Sequence, residues 1–186
     1  MNRFTVHSTP IDGLKVIERH PVRDTRGFLE RIFCQNELGL IGGDKVIRQI
    51  NRTLTRKKGT VRGLHFQYPP HAETKIVTCV KGIVWDVAVD IRRDSPTFLK
   101  HHAVTLTAAN SLSYLIPEGF AHGFQTLTAN CEILYLHTAD HSAQCEGGLN
   151  ATDKLLSIPW PGPVTERSER DLRHPILTND FKGLAL

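Results

Sequence analysis

The chain has 186 residues with a formal net charge of +4, 40% hydrophobic and 23% charged, the profile of one soluble globular domain spanning residues 1–186. No apolar run approaches the ~18 residues a membrane span requires, and the opening Met1-Asn2-Arg3-Phe4-Thr5-Val6-His7 lacks the apolar core of a secretory signal. The expected compartment is the cytoplasm, with no membrane as partner. Cys34, Cys79, Cys131 and Cys145 form no Cys-x-x-Cys pair and read as buried thiols, not a disulfide frame or zinc site.

Helix signals are poor throughout. Short runs rich in Val, Ile, Thr and aromatic residues recur between Gly, Pro, Asn or Asp, which predicts an all-β sandwich or barrel. Strands are expected at 3–7, 14–19, 28–34, 46–53, 60–67, 74–80, 83–91, 102–107, 112–116, 121–126 and 131–138. Short helices are expected at 35–39 and around 151–155. The basic residues are dispersed. Their densest group, Arg52 to Arg62 through Arg56, Lys57 and Lys58, reads as a solvated loop. Without a recognition helix or aromatic platform, nucleic acid is not an expected partner. A modest positive field suits a phosphorylated small molecule.

A hairpin is expected over 74–91, turning at Lys81-Gly82. In its second strand Ile83, Trp85, Val87, Val89 and Ile91 share one face, and Val84, Asp86, Ala88 and Asp90 the other. Such a strand packs on its bulky side and faces a cavity or solvent on the other. Pro69-Pro70, Ser95-Pro96 and Pro117-Glu118-Gly119 mark turns. Residues 159–175, with Pro159, Pro161 and Pro163 before Ser168-Glu169-Arg170-Asp171, form a distinct C-terminal element.

The stretch Arg62-Gly63-Leu64-His65-Phe66-Gln67, followed by Lys75 at the head of an apolar strand, brings a base-capable imidazole and two cations to one sheet. Those groups suit proton transfer on an anionic, carbonyl-bearing small molecule. Arg62 and His65 have opposite strand parity, so they reach one cavity only if Gly63 bends the strand. Lys75 is either an edge gatekeeper or a cation in a pocket. His122 lies between glycines and aromatics after a turn, and Tyr135 in a strong strand. Taken singly, each of these also fits a structural role.

Together these segments resemble the dTDP-4-dehydrorhamnose 3,5-epimerase family. The likeness is carried by Asp24-Thr25-Arg26-Gly27-Phe28-Leu29-Glu30, Gln49-Ile50-Asn51, Arg62 to Gln67, Lys75 through Phe98, Ile116 to Phe124, Leu134-Tyr135 and Ile158 to Pro161. The resemblance implies a cupin-like double-stranded β-helix jelly roll with short peripheral helices. It also implies a homodimer, no metal or other cofactor, and a nucleotide-diphosphate 4-keto-6-deoxyhexose substrate. Carried over by position, His65 is the base, Asp171 its orienting carboxylate, Tyr135 the proton donor on the opposite sugar face, and Lys75 the cation at the keto oxygen. Substrate contacts fall on Arg26, Glu30, Gln49, Asn51, Arg62, His122, Glu146, Arg170 and His141, with Arg26 and Glu30 reaching the partner subunit's site. The chain departs from the family pattern in three places. The segment after Arg26 is one residue short, Arg170 replaces a lysine, and Asp140-His141 replaces a tyrosine pair that stacks on the base.

The chemistry agrees with these roles. A hydrogen beside a ketone is acidic because the enolate places charge on oxygen, and one well-placed donor there is worth roughly 3–4 kcal/mol. An imidazole with its ordinary pKa of about 6.5 is suited to remove the proton, and inversion requires a second group on the other face. Inversion at a single carbon, another nucleotide, a metal-dependent cupin isomerase using His65 and His122, and a non-catalytic sugar-nucleotide binder are the competing readings. The His-x-His-x₃₋₄-Glu pattern that the metal reading needs is absent.

Overall fold

The computed structural model describes residues 2–39 and 45–186. Among the described residues, thirteen strands and one short helix follow in order: β1 (Phe4–Ser8), β2 (Lys15–Arg19), β3 (Val22–Asp24), β4 (Gly27–Leu29), β5 (Gln49–Thr55), β6 (Val61–Gln67), β7 (Lys75–Lys81), β8 (Ile83–Asp90), β9 (His101–Thr107), β10 (Leu112–Ile116), β11 (Phe120–Thr126), β12 (Cys131–His137), β13 (Glu146–Gly148) and α1 (Glu169–Leu172). A six-stranded sheet runs β1-β2-β10-β7-β12-β5 and a five-stranded sheet β13-β6-β11-β8-β9, while β3 and β4 form a separate two-stranded arm. All strand pairings are antiparallel. This is the all-β sandwich that the strand pattern led us to expect, in the cupin-like jelly-roll form that the resemblance implied.

Three apolar layers hold the sandwich. Val77, Cys79, Ile133 and Tyr114 from the larger sheet meet Val84, Ala88, Phe120 and Phe124 from the smaller one in the central layer. On the outer face of the larger sheet, Ile17, Ile76, Leu115 and Leu136 are covered by Phe33, Cys34, Leu38 and Ile47. On the outer face of the smaller sheet, Val87, Val89 and Ile91 lie under Leu156, Ile158, Trp160 and Leu184 of the C-terminal segment. Each fully buried aliphatic side chain contributes roughly 1.5–3 kcal/mol. The parity of β8 is thereby resolved. Its bulky face packs under the C-terminal segment, and its face of small and acidic residues turns inward.

Several expected elements differ. Residues 74–91 are not a hairpin, because β7 belongs to the six-stranded sheet and β8 to the five-stranded one. At Gly82, with φ +82°, the chain passes between layers, and a Cβ there would lie 2.7 Å from Cys131 Sγ. Both strands carry buried apolar residues on both faces, so each needs partners above and below that a two-stranded ribbon does not provide. The helices expected at 35–39 and around 151–155 are turns. The first is a single turn closed by Leu38 N–H on Cys34 O, and the second is pinned by the Asp153 side chain, which accepts from Leu155 N and Leu177 N. The strand expected over 28–34 ends at Leu29, and the one expected over 46–53 begins at Gln49 and continues to Thr55. The one helix among the described residues lies within the C-terminal element, where the side chain of N-cap Ser168 accepts from Asp171 N–H.

Candidate active site

Between the sheets lies a cavity of about 240 Å³. The five-stranded sheet and its flanks contribute Arg62, His65, His122, Glu146 and Arg170, and the six-stranded sheet contributes Gln49, Asn51, Lys75, Tyr135 and His137, with His141 just beyond. Ten of the expected site residues therefore line one cavity. Asp171 stands directly behind His65.

The parity conflict between Arg62 and His65 is removed by a β-bulge. Against β11, His65 pairs with His122 and Arg62 with Phe124, so three steps along β6 match two along β11. The extra residue restores Arg62 and His65 to the same side. Gly63 permits it, with φ +116° and a backbone so close to β11 that a Cβ would lie 2.6 Å from His122 O.

His65 Nε2 and Asp171 Oδ1 are 2.7 Å apart, and Asp171 Oδ2 accepts from Gly63 N–H at 3.3 Å. Burial raises the Asp171 carboxyl, but the bonds from His65 and Gly63 outweigh it and hold the group below its ordinary value. An ionised carboxylate only accepts, so Nε2 carries the ring proton and Nδ1 keeps the lone pair. Arg170 Nη2 also lies 3.1 Å from Nε2. A guanidinium only donates, so this approach is a charge contact, and the shorter carboxylate bond sets the tautomer.

On the opposite wall, Lys75 sits on a central strand, between β10 and β12, and is not an edge gatekeeper. Its Nζ lies 2.9 Å from Glu73 Oε1, while Glu73 Oε2 is 2.8 Å from His137 Nδ1. Tyr135 neighbours Lys75 on this wall, its ring stacked on His137 and edge-on to His122. Desolvation pushes its phenol upward, so it holds its proton. His122 Nε2 is 2.8 Å from Asp86 Oδ1, and complete burial raises that carboxyl. Glu73, His137 and Asp86 were not singled out in the sequence. Parity could have pointed to the first two, since each lies two residues from an expected site residue on an extended chain.

Toward the cavity mouth, Arg170 Nη1 is 2.9 Å from both oxygens of Glu146, and the His141 backbone N–H bonds to Gln49 Oε1 at 3.1 Å. The His141 ring is half exposed. Arg26 and Glu30 lie outside this chain's cavity. Arg26 sits on the β3–β4 arm, 88% exposed and paired with Asp24. Glu30 is engaged within its own chain by buried Arg19 at 3.1 Å, and so is not presented outward as Arg26 is.

His65, Asp171 and His174 each offer a ligand atom within 4.8 Å of the others, a spacing that could hold a metal ion. However, Asp171 Oδ1 is already bonded to His65, and the Arg170 guanidinium faces the same nitrogen. The donor set is thus a histidine–carboxylate pair with a cation already beside it.

The family described as dTDP-4-dehydrorhamnose 3,5-epimerase matches residues 8–179. A dTDP-4-dehydrorhamnose 3,5-epimerase of Sinorhizobium fredii is 39% identical over 178 residues, covering 95% of this chain and 91% of its own. The Bacillus anthracis enzyme of that name, solved with TDP and PPi bound, superposes with a TM-score of 0.88 at 36% identity, covering 94% of this chain and 99% of that one. The Legionella pneumophila enzyme, solved with dTDP-4-keto-L-rhamnose, also has a TM-score of 0.88, at 35% identity, with coverage of 93% and 92%.

Proposed function

Because the chain belongs to the dTDP-4-dehydrorhamnose 3,5-epimerase family, we propose that it inverts C3 and C5 of dTDP-4-dehydro-6-deoxyglucose through an enolate. The observation that carries this reading is the placement of proton-transfer groups on facing walls. His65, backed by Asp171, stands on the five-stranded sheet, and Tyr135 with Lys75 on the six-stranded one. His65 Nδ1 removes the proton beside the ketone, and Asp171 stabilises the resulting imidazolium. Lys75 takes up the charge that develops on the keto oxygen, with His122 nearby. Tyr135, still protonated, returns a proton from the other face. Arg62 suits the diphosphate, and Gln49, Asn51 and His141 the nucleoside end. The residues 1–186 act as one catalytic domain.

Incubation with the 4-keto sugar nucleotide in deuterated water, followed by NMR, tests the reading. Deuterium should enter at C3 and C5 with inversion. Entry at neither carbon, across several nucleotides, would overturn it, and entry at one only would select the single-carbon alternative. Tyr135→Phe should separate the two half-reactions. Exchange on the His65 face should persist while inversion falls about 100-fold, on the scale of a positioned acid. An intact stereochemical outcome in that variant would remove Tyr135 from the mechanism.

The active assembly in this reading is a homodimer in the cytoplasm. The β3–β4 arm exposes Phe28 and Leu29, and the edge strand β5 exposes Ile50 and Leu54, which suits burial against a second copy. The arm would then carry Arg26 to the partner's cavity. The protein should sediment at twice its 20.9 kDa chain mass, and charge introduced at Phe28 and Leu29 should release monomer. All four cysteines are unpaired, in keeping with a reducing compartment. No described helix is long and apolar enough to cross a membrane.

A further inference from the structure

Glu73 has no part in the chemistry just described, yet it stands at the cavity's charged end. Lys75 and His137 face each other across the β7–β12 pairing, and the chain entering β7 places Glu73 between them. The carboxylate is divided, with Oε1 on Lys75 and Oε2 on His137. None of the three side chains is more than 12% exposed, and all three line the cavity. Resting on the epimerase reading, we infer that Glu73 is a positioning residue that keeps the Lys75 ammonium charged and turned toward the substrate, with His137 sharing its negative charge.

A buried ammonium is unstable without a counter-charge. Glu73 provides a permanent one. Burial alone would raise its carboxyl, but the Lys75 charge and the His137 bond bring it down to about 2, so it is anionic at any working pH. An ammonium has three donors, and Glu73 takes only one, leaving the others for an enolate oxygen. A carboxylate offering both oxygens to Lys75 would cancel more of its field at the substrate. His137 prevents that by occupying the second oxygen.

The other titratable groups packed around this end do not replace Glu73. Asp86 on β8 is bonded to His122 of β11, and burial pushes its carboxyl upward. Tyr135 of β12 and Tyr114 of β10 are phenols shifted upward by burial and therefore neutral. Among the described residues, Glu73 is the one carboxylate within ion-pair distance of Lys75.

Glu73→Gln keeps the shape and removes the charge. Its exchange rate should stay within about threefold of wild type at pH 6.5 and fall at least about tenfold at pH 8.5, because an unpaired buried ammonium sheds its proton sooner. KM should change little, and Glu73→Asp should restore the high-pH rate. In protein labelled with ¹⁵N-lysine and free of substrate, the Lys75 Nζ signal should titrate at lower pH in Glu73→Gln than in wild type. The same Lys75 titration in both proteins, or a loss by one factor at every pH, would overturn the inference. Should the wild-type protein exchange no substrate hydrogen, the epimerase reading fails and the NMR comparison still decides the role of Glu73.

Discussion

His65→Asn is expected to abolish deuterium incorporation at C3 and at C5 together, by at least 10²–10⁴-fold, the contribution of a positioned base. Joint loss is the informative part of the result. The cavity wall formed by β6, β11 and β13 presents two histidines, but His122 is tied through Nε2 to a fully buried carboxyl. Of these two, it is His65 that combines cavity exposure with an ionised carboxylate behind it. If each carbon had its own base, one exchange would survive. Asparagine retains a donor for Asp171, so the variant should fold and bind with little change in KM, placing the loss in kcat. Survival of exchange at either carbon would reassign the base at that position.

Lys75→Met should lower kcat by about 10²–10³-fold, the cost of removing one donor from a developing oxyanion (about 2.7–4 kcal/mol). This variant has a second effect that has to be separated. Removing one partner of a buried ion pair leaves the other uncompensated, at a cost of about 3–5 kcal/mol. Glu73 would be that partner, with only His137 left to it. The double variant Lys75→Met with Glu73→Gln should therefore regain most of the lost thermal stability and none of the lost rate. Recovery of rate in the double variant would show that Lys75 acts through the fold and not at the oxyanion.

The strands at 60–67, 102–107, 112–116, 121–126 and 131–138 were legible because short runs rich in Val, Ile, Thr and aromatic residues, bounded by Gly, Pro, Asn or Asp, mark strands whichever face they bury. The partners of β7 and β8 were not. A glycine after a strand end reads the same whether the chain folds back in one sheet or steps to the facing one, and only the packing on both faces separates the two. The bulge in β6 was legible only as a condition on Gly63, since glycine marks where a strand can deviate without stating that it does. Asp153 illustrates a further limit. Its carboxylate ties Leu155 N–H and the distant Leu177 N–H in one turn, a long-range bond with no local signature. The cavity lining was largely readable through the ordered resemblance, while Glu73 and His137 carried only a parity signal, each two residues from an expected site residue. One sits in a proline-rich connection and the other at a strand terminus, places where polar residues need no special explanation.

His65 and Tyr135, the base and the returning acid of the proposed mechanism, stand on different sheets, and in that mechanism this has a geometric consequence for stereochemistry. Facing sheets pack about 10 Å apart, a gap set here by the size of core side chains such as Phe124, Ile133 and Val77. That gap is also the space in which a sugar ring must meet one proton-transfer group above and another below. In the proposed mechanism the hydrophobic filling between the layers would therefore act as a spacer for the reaction. A smaller core residue far from the cavity would let the walls approach, and a larger one hold them apart, altering how often a proton lost on one face returns on the other although none of the proposed catalytic side chains is replaced.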